Sequence, residues 1–586
     1  MKKQTRIISL ILTLVLCLSF SVFATEDKPA YSVEGFETVD SEGNRITTGR
    51  DATSSVAIAS ASKYEVSQVG AEILAKGGNA VDAAVAMGFA LAVAEPFTNG
   101  PGGGGFAVIH TADGENLFVD FREIGPAAAT FDLYLDAEGK YNGKAGTGGL
   151  ASGIPGDVAG LLYMLENHGS GNLTREEILE PAIRIAEEGF YISTYAANAI
   201  SNAYEKAQNF PEMQKIYWDE NGLPYEEGHI LKNPDFAKTL RIIAEKGRDG
   251  FYKGEVAQAI VDSLAKYEGV MTLEDLAGYE VTVTEPVSGT YRGYTLLSSS
   301  PPSSGGTILI EILNILENYD VSKLTVNSPE YIHLFVEAFK LAYADRAQYM
   351  ADEAFTDVPL VGLTSKDYAK ERAKLIDLEK ANEYEYGDPT LFEGSNTSHY
   401  SVADVQGNCV AVTKTINGYF GSGVLVDGYG FMMNNEMADF STSNPESVNK
   451  VEPGKKPLSS MSPTIVLKDD GSPFLVLGTP GGARIFVSVL QIISRVIDHE
   501  MSLHDAICVP KIWNTGATNN FQYETPLKGY EIYAITEETV AKLTEMGHDK
   551  IRTAASGAVQ AIEYLDDGTV YGTADPRQDG KAVGVE

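Results

Sequence analysis

The chain has 586 residues, 44% of them apolar and 22% charged, a globular composition with ample material for a large core, which excludes a disordered chain. Its formal net charge is −36. A surface this acidic repels nucleic acid and anionic lipid, so neither is expected as a partner.

The first 24 residues differ from the rest. Lys2, Lys3 and Arg6 precede an apolar run, Ile7–Phe20, and Ser21-Val22-Phe23-Ala24 ends in a small residue. This pattern predicts a secretory signal peptide over 1–24, and hence an extracellular or periplasmic protein. The run is short for a membrane span and no other stretch qualifies, so no membrane contact is expected after its removal. Two cysteines remain, Cys409 and Cys508. Cys409 lies in an apolar strand pattern and reads as a buried thiol, with one disulfide left open. Neither has a C-x-x-C neighbour, and no zinc site is expected.

Residues 25 to about 52 read as a loose polar arm. Helices are predicted from about Ser67 to Lys76 and, capped by Asn79 with Asp82 three residues on, through an alanine-rich segment to Glu95-Pro96. So many alanines predict a helix packed on all sides. Gly100–Gly105 formally fits G-x-G-x-x-G, but a helix precedes it and strands follow (Phe106–His110, Leu117–Phe121), the reverse of a dinucleotide site. The better reading is a loop where backbone passes close to backbone or ligand.

Residues 155 to 385 read as mainly helical, interrupted by the Ser298–Gly306 loop. Helices resume at Thr307–Glu317 and Glu330–Asp352. His333 and Glu337 stand one turn apart, but no second histidine follows at metal-ligand spacing, and a structural role is preferred. From Thr397 the texture changes to strands. Thr397–Asp404 and Asn408–Asn417 form one expected hairpin, Pro463–Lys468 and Pro473–Gly478 a second, and a helix follows from about Ala483 to His499.

Several segments carry chemistry. A threonine heading a strand acts as a nucleophile only if something takes its proton, and an N-terminal threonine supplies its own α-amine. Thr397 has that amine only if the preceding bond is cut; otherwise it is an ordinary β-branched strand residue. Thr413, Thr415 and Asn417 alternate onto one polar face one strand away. Asn434-Asn435-Glu436-Met437-Ala438-Asp439 places two acids beside two asparagines, suited to a cationic ammonium or to a surface loop. Ser459 and Ser460 belong to a hydroxyl cluster entering a strand. Gly481 and Gly482 open a helix, where exposed N–H groups suit an oxyanion. Arg122 follows a strand and suits a carboxylate clamp, or is a surface charge.

In order along the chain stand GGNAVDAAVA (77–86), GGGGF (102–106), DFRE (120–123), IPG (154–156), PPSSGG (301–306), AYADR (342–346), TSHYSV (397–402), PLSSMSPT (457–464), TPGG (479–482) and DPR (575–577). Together they resemble the γ-glutamyltransferase, or γ-glutamyltranspeptidase, family of N-terminal-nucleophile hydrolases. The resemblance implies an α+β fold, a four-layer αββα sandwich of two subunits cut from one precursor: a signal peptide over 1–24, a large subunit over 25–396 and a small catalytic subunit over 397–586. It implies Thr397 as nucleophile for cleavage and catalysis, Thr415 as its orienting hydroxyl, and Gly481 and Gly482 as oxyanion donors. Arg122, Ser459 and Ser460 would hold the substrate α-carboxylate, and Asn417, Glu436 and Asp439 its α-ammonium.

The implied substrates are γ-glutamyl donors, glutathione or glutamine-like, with amino acids, peptides or water as acceptors. No cofactor or metal is implied. Many members carry a longer, aromatic-bearing insert between the Asp-Phe and Pro-Leu-Ser-Ser motifs. Here only Ser441–Lys456 intervenes, without an aromatic residue, so the covering lid is expected to be missing. The alternatives are a relative acting on another acyl group, a poly-γ-glutamate depolymerase or cephalosporin acylase, and a binding protein that has lost chemistry. Arg122 and Asp439 argue for a glutamate head, and Thr397, Thr415 and Gly481-Gly482 for retained chemistry.

Overall fold

The computed structural model describes residues 28–384, 397–516 and 518–586. The expected signal peptide and Asn396 lie outside the described residues. Two seven-stranded antiparallel sheets form the centre. The first runs Lys581–Val585, Ala57–Ala61, Thr397–Asp404, Cys409–Thr415, Gly104–His110, Asn116–Phe121, Thr282–Thr284. The second runs Ala52–Ser54, Val570–Ala574, Gln560–Tyr564, Pro473–Gly478, Thr464–Leu467, Tyr294–Ser298, Val287–Tyr291.

The two-residue period of a strand sorts the side chains between layers. On the Thr397–Asp404 strand, Tyr400 and Val402 pack with Val410 and Val412 against helices Tyr64–Ala75, Ala80–Ala94 and Asp157–His168. Ala403, Cys409 and Ala411 face the other way and meet Ile465, Val476 and Ile562 of the second sheet. Beyond that sheet lie helices Gly305–Leu316, Pro329–Tyr349 and Ile485–Ile497. Every residue of Ala80–Ala94 is buried, as its alanine content predicts, and Asn79 with Asp82 forms a reciprocal capping box.

The glycine loop serves backbone approach. A Cβ on Gly102 would lie 2.2 Å from Met432 O, and one on Gly103 2.0 Å from Thr415 O. Only glycine lets this loop press against the strand that carries Thr415.

Two expectations need correction. The N-terminal arm is not loose from Lys28 onward. Arg50 is fully buried and donates to Gln578 O and Gly580 O, and Tyr31 packs with Glu72 and Arg184. The segment read as helical also contains five strands, the two-residue pair Phe190–Tyr191 and Ile230–Leu231 and the longer Thr282–Thr284, Val287–Tyr291 and Tyr294–Ser298. The last two form a hairpin. Their Val, Thr and Tyr content and the Arg292-Gly293 turn, both residues at positive φ, carry a hairpin signal. Cys409 and Cys508 are both buried and unpaired.

One ion pair ties the first sheet to its helices. Lys414 alternates toward the helical side, where its Nζ lies 2.8 Å from Asp157 Oδ1 and donates to Gly88 O. Both side chains are fully buried. Burial pushes the lysine pKa down and the aspartate pKa up, and each charge opposes the shift of the other. Asp157→Ala should therefore lower stability by about 3–5 kcal/mol, because it strands Lys414. The paired replacement Lys414→Met/Asp157→Leu should recover most of that loss in urea unfolding.

Candidate active site

Thr397 is the first residue of its strand and pairs across the sheet with Thr415. It lies on the face between the sheets, at their polar end. Below its start, Ser398 donates to Glu95 Oε2 at 2.5 Å and accepts from Asn99 Nδ2 at 2.6 Å.

Thr397 lines two cavities at once. The smaller, about 20 Å³, is bounded by Arg122, Thr397, Thr415, Asn417, Glu436, Asp439, Ser459, Ser460 and Gly482, with Met461 and Ile485. Nine of the ten residues singled out from the sequence thus converge, from six separate segments. The tenth, Gly481, lines the larger cleft, about 770 Å³, which Thr397 also borders.

Arg122 is fully buried among acids. Its Nη1 lies 2.9 Å from Glu436 Oε2 and 3.5 Å from Glu123 Oε2, and its Nη2 2.6 Å from Asp439 Oδ2. It also donates to Pro457 O and Leu458 O. Asp439 accepts from Asn417 Nδ2 at 2.7 Å, and the Asn417 backbone N–H donates to Thr415 Oγ1 at 2.7 Å. Asn417 holds φ at 67°, a region disfavoured for residues with a Cβ. One guanidinium faces three carboxylates. Burial raises the pKa of Glu436 well above the usual carboxylate range and that of Glu123 to about 8, although Arg122 pulls both down.

Gly481 and Gly482 take φ of 142° and 57°, and a short helical turn leads from them into Ile485–Ile497. Arg484 Nε donates to Gly481 O at 3.1 Å. That carbonyl belongs to the same peptide unit as the Gly482 N–H, so this bond fixes the orientation of that N–H.

Other segments prove supporting. Arg346 donates to Ser304 Oγ and Ser460 Oγ, and Ser304 to Ser459 O. The Ser298–Gly306 loop therefore buttresses the serine pair, and it lines neither cavity. Ser441–Lys456 lines neither cavity either. It is folded back by a Ser441–Asn449 backbone bond, and Asn449 is held to Asp439 O and the Leu458 N–H. His399 hydrogen-bonds Thr413 and Ser401, and burial lowers its pKa to about 3, so it stays neutral away from both cavities. His333 and Glu337 are joined by His548, which sequence spacing did not reveal. His333 Nδ1 meets His548 Nε2 at 2.8 Å, and Glu337 is paired to Lys340 at 2.5 Å, so a lysine ammonium already neutralises the carboxylate. Sequence reasoning missed the walls of the large cleft: Tyr195, Tyr419, Glu524–Leu527, Thr553–Ala558 and Arg577.

Two antiparallel sheets face to face, helices on both outer sides and a threonine heading a central strand define the αββα fold of the N-terminal-nucleophile hydrolases. A cephalosporin acylase from Bacillus halodurans shares it, with a TM-score of 0.82 at 28% identity over 92% of this chain and 97% of that chain. Residues 66–585 match the γ-glutamyltranspeptidase family. The glutathione hydrolase proenzyme of Escherichia coli K12 is 41% identical over 524 residues, 87% of this chain and 88% of that protein. That of Bacillus subtilis 168 is 39% identical over 603 residues, 98% and 97% of the two chains. The chain belongs to the γ-glutamyltranspeptidase family.

The acid cluster sets a pH dependence. A carboxyl whose pKa rises from about 4.5 to about 8 on folding binds more protons in the folded state between those values. Its contribution to stability is therefore largest below pH ~4.5 and declines as pH rises toward ~8. Glu123→Gln should remove that decline, giving a flatter curve of unfolding free energy against pH over this window than the unaltered protein.

Proposed function

We propose that this enzyme cuts its own chain before Thr397 and then uses Thr397 to transfer γ-glutamyl groups, from glutathione or similar donors, to amino acids, peptides or water. The observation that carries the reading is the position of Thr397 between two cavities whose described lining contains no histidine, lysine or cysteine. Of the lining carboxylates, Glu524 in the large cleft is tied to Lys511 and Arg577, and Glu436 and Asp439 in the small cavity are tied to Arg122. The base that remains is the α-amine of Thr397 itself, which titrates near pH ~8.

In the first step the Thr397 hydroxyl attacks the Asn396 carbonyl, an N-to-O shift gives an ester and frees the Thr397 amine, and water then hydrolyses the ester to leave the Asn396 carboxylate and restore the hydroxyl. In the second the same hydroxyl attacks the γ-carbonyl of the donor. The Gly481 and Gly482 amides stabilise the oxyanion, and Thr415 orients the nucleophile. Arg122, Ser459 and Ser460 take the donor α-carboxylate. Asn417, Glu436 and Asp439 take its α-ammonium, whose positive charge relieves the excess of acids around Arg122. The mature protein is then two chains, 25–396 and 397–586, exported by the 1–24 signal. The relatives named proenzymes support such processing.

Thr397→Ala should remain one chain on a denaturing gel and be inactive; splitting of that variant at the same bond would exclude self-cleavage by Thr397. Asp439→Ala should lose at least ~30-fold in kcat/KM, since removing one partner of a buried charged contact costs about 2–5 kcal/mol. It should also discriminate less against donors without an α-amine. Because Ser441–Lys456 lies along the surface and lines neither cavity, the cleft is open to long substrates, and γ-linked oligoglutamate should be cleaved as well as glutathione. Activity confined to small donors would count against the open cleft.

A further inference from the structure

The large cleft beside Thr397 stands out by its charge. The protein carries a formal −36, yet three arginines line this wall: Arg45, Arg484 and Arg577. Two are neutralised locally. Arg45 pairs with Asp579 at 3.2 Å, and Arg577 with Glu524 and Asp575 at 2.9 Å each. Lys511 completes that cluster with contacts to the same two acids. Among the described residues no carboxylate pairs with Arg484. It is the one lining cation of this cleft left without an ionic partner.

Arg484 is held still. Nε donates to Gly481 O at 3.1 Å, Nη1 to Ala555 O at 2.8 Å, and the guanidinium carbon stands 5.7 Å from the centre of the Trp513 ring. Nη2 makes no hydrogen bond among the described residues. A half-buried, immobilised guanidinium with an unused donor edge, on the wall of a cleft that reaches the nucleophile, has the properties of an anion anchor. Its fixed orientation lowers the ordering cost of binding.

We infer that Arg484 forms a carboxylate-binding subsite on the leaving-group side of Thr397, selecting γ-glutamyl donors and acceptors that carry a free carboxylate beyond the reacting nitrogen. This rests on the γ-glutamyl reading above. When the donor amide C–N bond breaks, the acyl group stays on Thr397 Oγ1 and the amine departs with a proton from the Thr397 ammonium. Arg484 touches only the departing or entering amine component. The small pocket reads the glutamyl head, and the cleft reads its partner. A C-terminal glycine carboxylate and the α-carboxylate of a γ-linked glutamate belong to the same class of ligand.

The test compares glutathione with glutathione amidated at its glycine carboxylate, using processed unaltered enzyme, Arg484→Gln and Arg484→Lys. The unaltered enzyme should prefer the free acid by about tenfold in kcat/KM, the scale of one hydrogen bond to a charged group. Arg484→Gln should lower activity on both donors by freeing the Gly481–Gly482 peptide, but lower it further on the acid, so that the preference disappears, and Arg484→Lys should keep part of the preference. Raising salt from about 0.05 to about 0.5 M should narrow the preference of the unaltered enzyme without changing turnover of the amide. An equal fall on both donors would mean that Arg484 only orients the Gly481–Gly482 peptide, and would overturn the subsite. So would an undiminished preference in Arg484→Gln. If the unaltered enzyme cleaves neither donor, the γ-glutamyl reading itself fails.

Discussion

The buried guanidinium of Arg122 is the interaction on which the site depends. An isolated charge in this position would cost several kcal/mol in lost hydration, and the protein surrounds it with three acids and two carbonyls instead. Those partners come from separate segments, so one side chain fixes the positions of Glu436–Asp439 and Pro457–Leu458 together. The fix is passed on. Asp439 holds the Asn417 side chain, the Asn417 backbone holds the Thr415 hydroxyl, and Thr415 stands opposite Thr397. The positive φ of Asn417 is the local strain that this chain of contacts maintains.

A second constraint follows from the proposal that Thr397, at the head of a central strand, is the nucleophile. If its amine is to be the base, the chain must end there, and a chain end inside a sheet would ordinarily fray. Here both neighbouring strands pair with the nucleophile strand, Cys409–Thr415 from Thr397 onward and Ala57–Ala61 from Tyr400 onward. Ser398 is held from below by Glu95 and Asn99. On this strand all of these contacts are made by Thr397 or by residues after it, so breaking the preceding bond removes none of them. The Lys414–Asp157 pair holds the partner strand on the same helical face as Ser398.

The parts of this arrangement that were legible in the sequence are those with local signatures. Alternation placed Thr413 and Thr415 on one face, although the strand ends at Thr415 and Asn417 reaches the site through a positive-φ turn; the Asn79–Asp82 box and the glycine pair at 481–482 marked helix starts; and the glycine-rich loop announced close backbone approach. The order of motifs assembled the site residues, which no single segment could have done. What was hidden depends on contacts between distant segments. The Thr282–Ser298 strands were overridden by a helical reading of their surroundings, and Arg50 in the arm is buried only because the C-terminal strand lies beside it. His548 reaches His333 across 215 positions, which spacing rules built for neighbouring ligands do not cover.

The cleft was illegible for a related reason, and it bears on how one scaffold serves several substrates. Its walls, Glu524–Leu527 and Thr553–Ala558, continue from the edges of a small sheet of Ile512–Trp513, Asn520–Tyr523 and Asp549–Thr553, outside the two central sheets. Loops on such a platform change without disturbing the Arg122 cluster or the nucleophile strand. The head pocket is the opposite case, because each of its residues is committed to another. A change there spreads through Asp439 and Asn417 to Thr415, whereas Thr525–Leu527 on the cleft wall stand apart from that chain of contacts. The cleft wall is therefore the part of the site most free to vary on a fold that a cephalosporin acylase shares, while the head pocket is the part least free to do so.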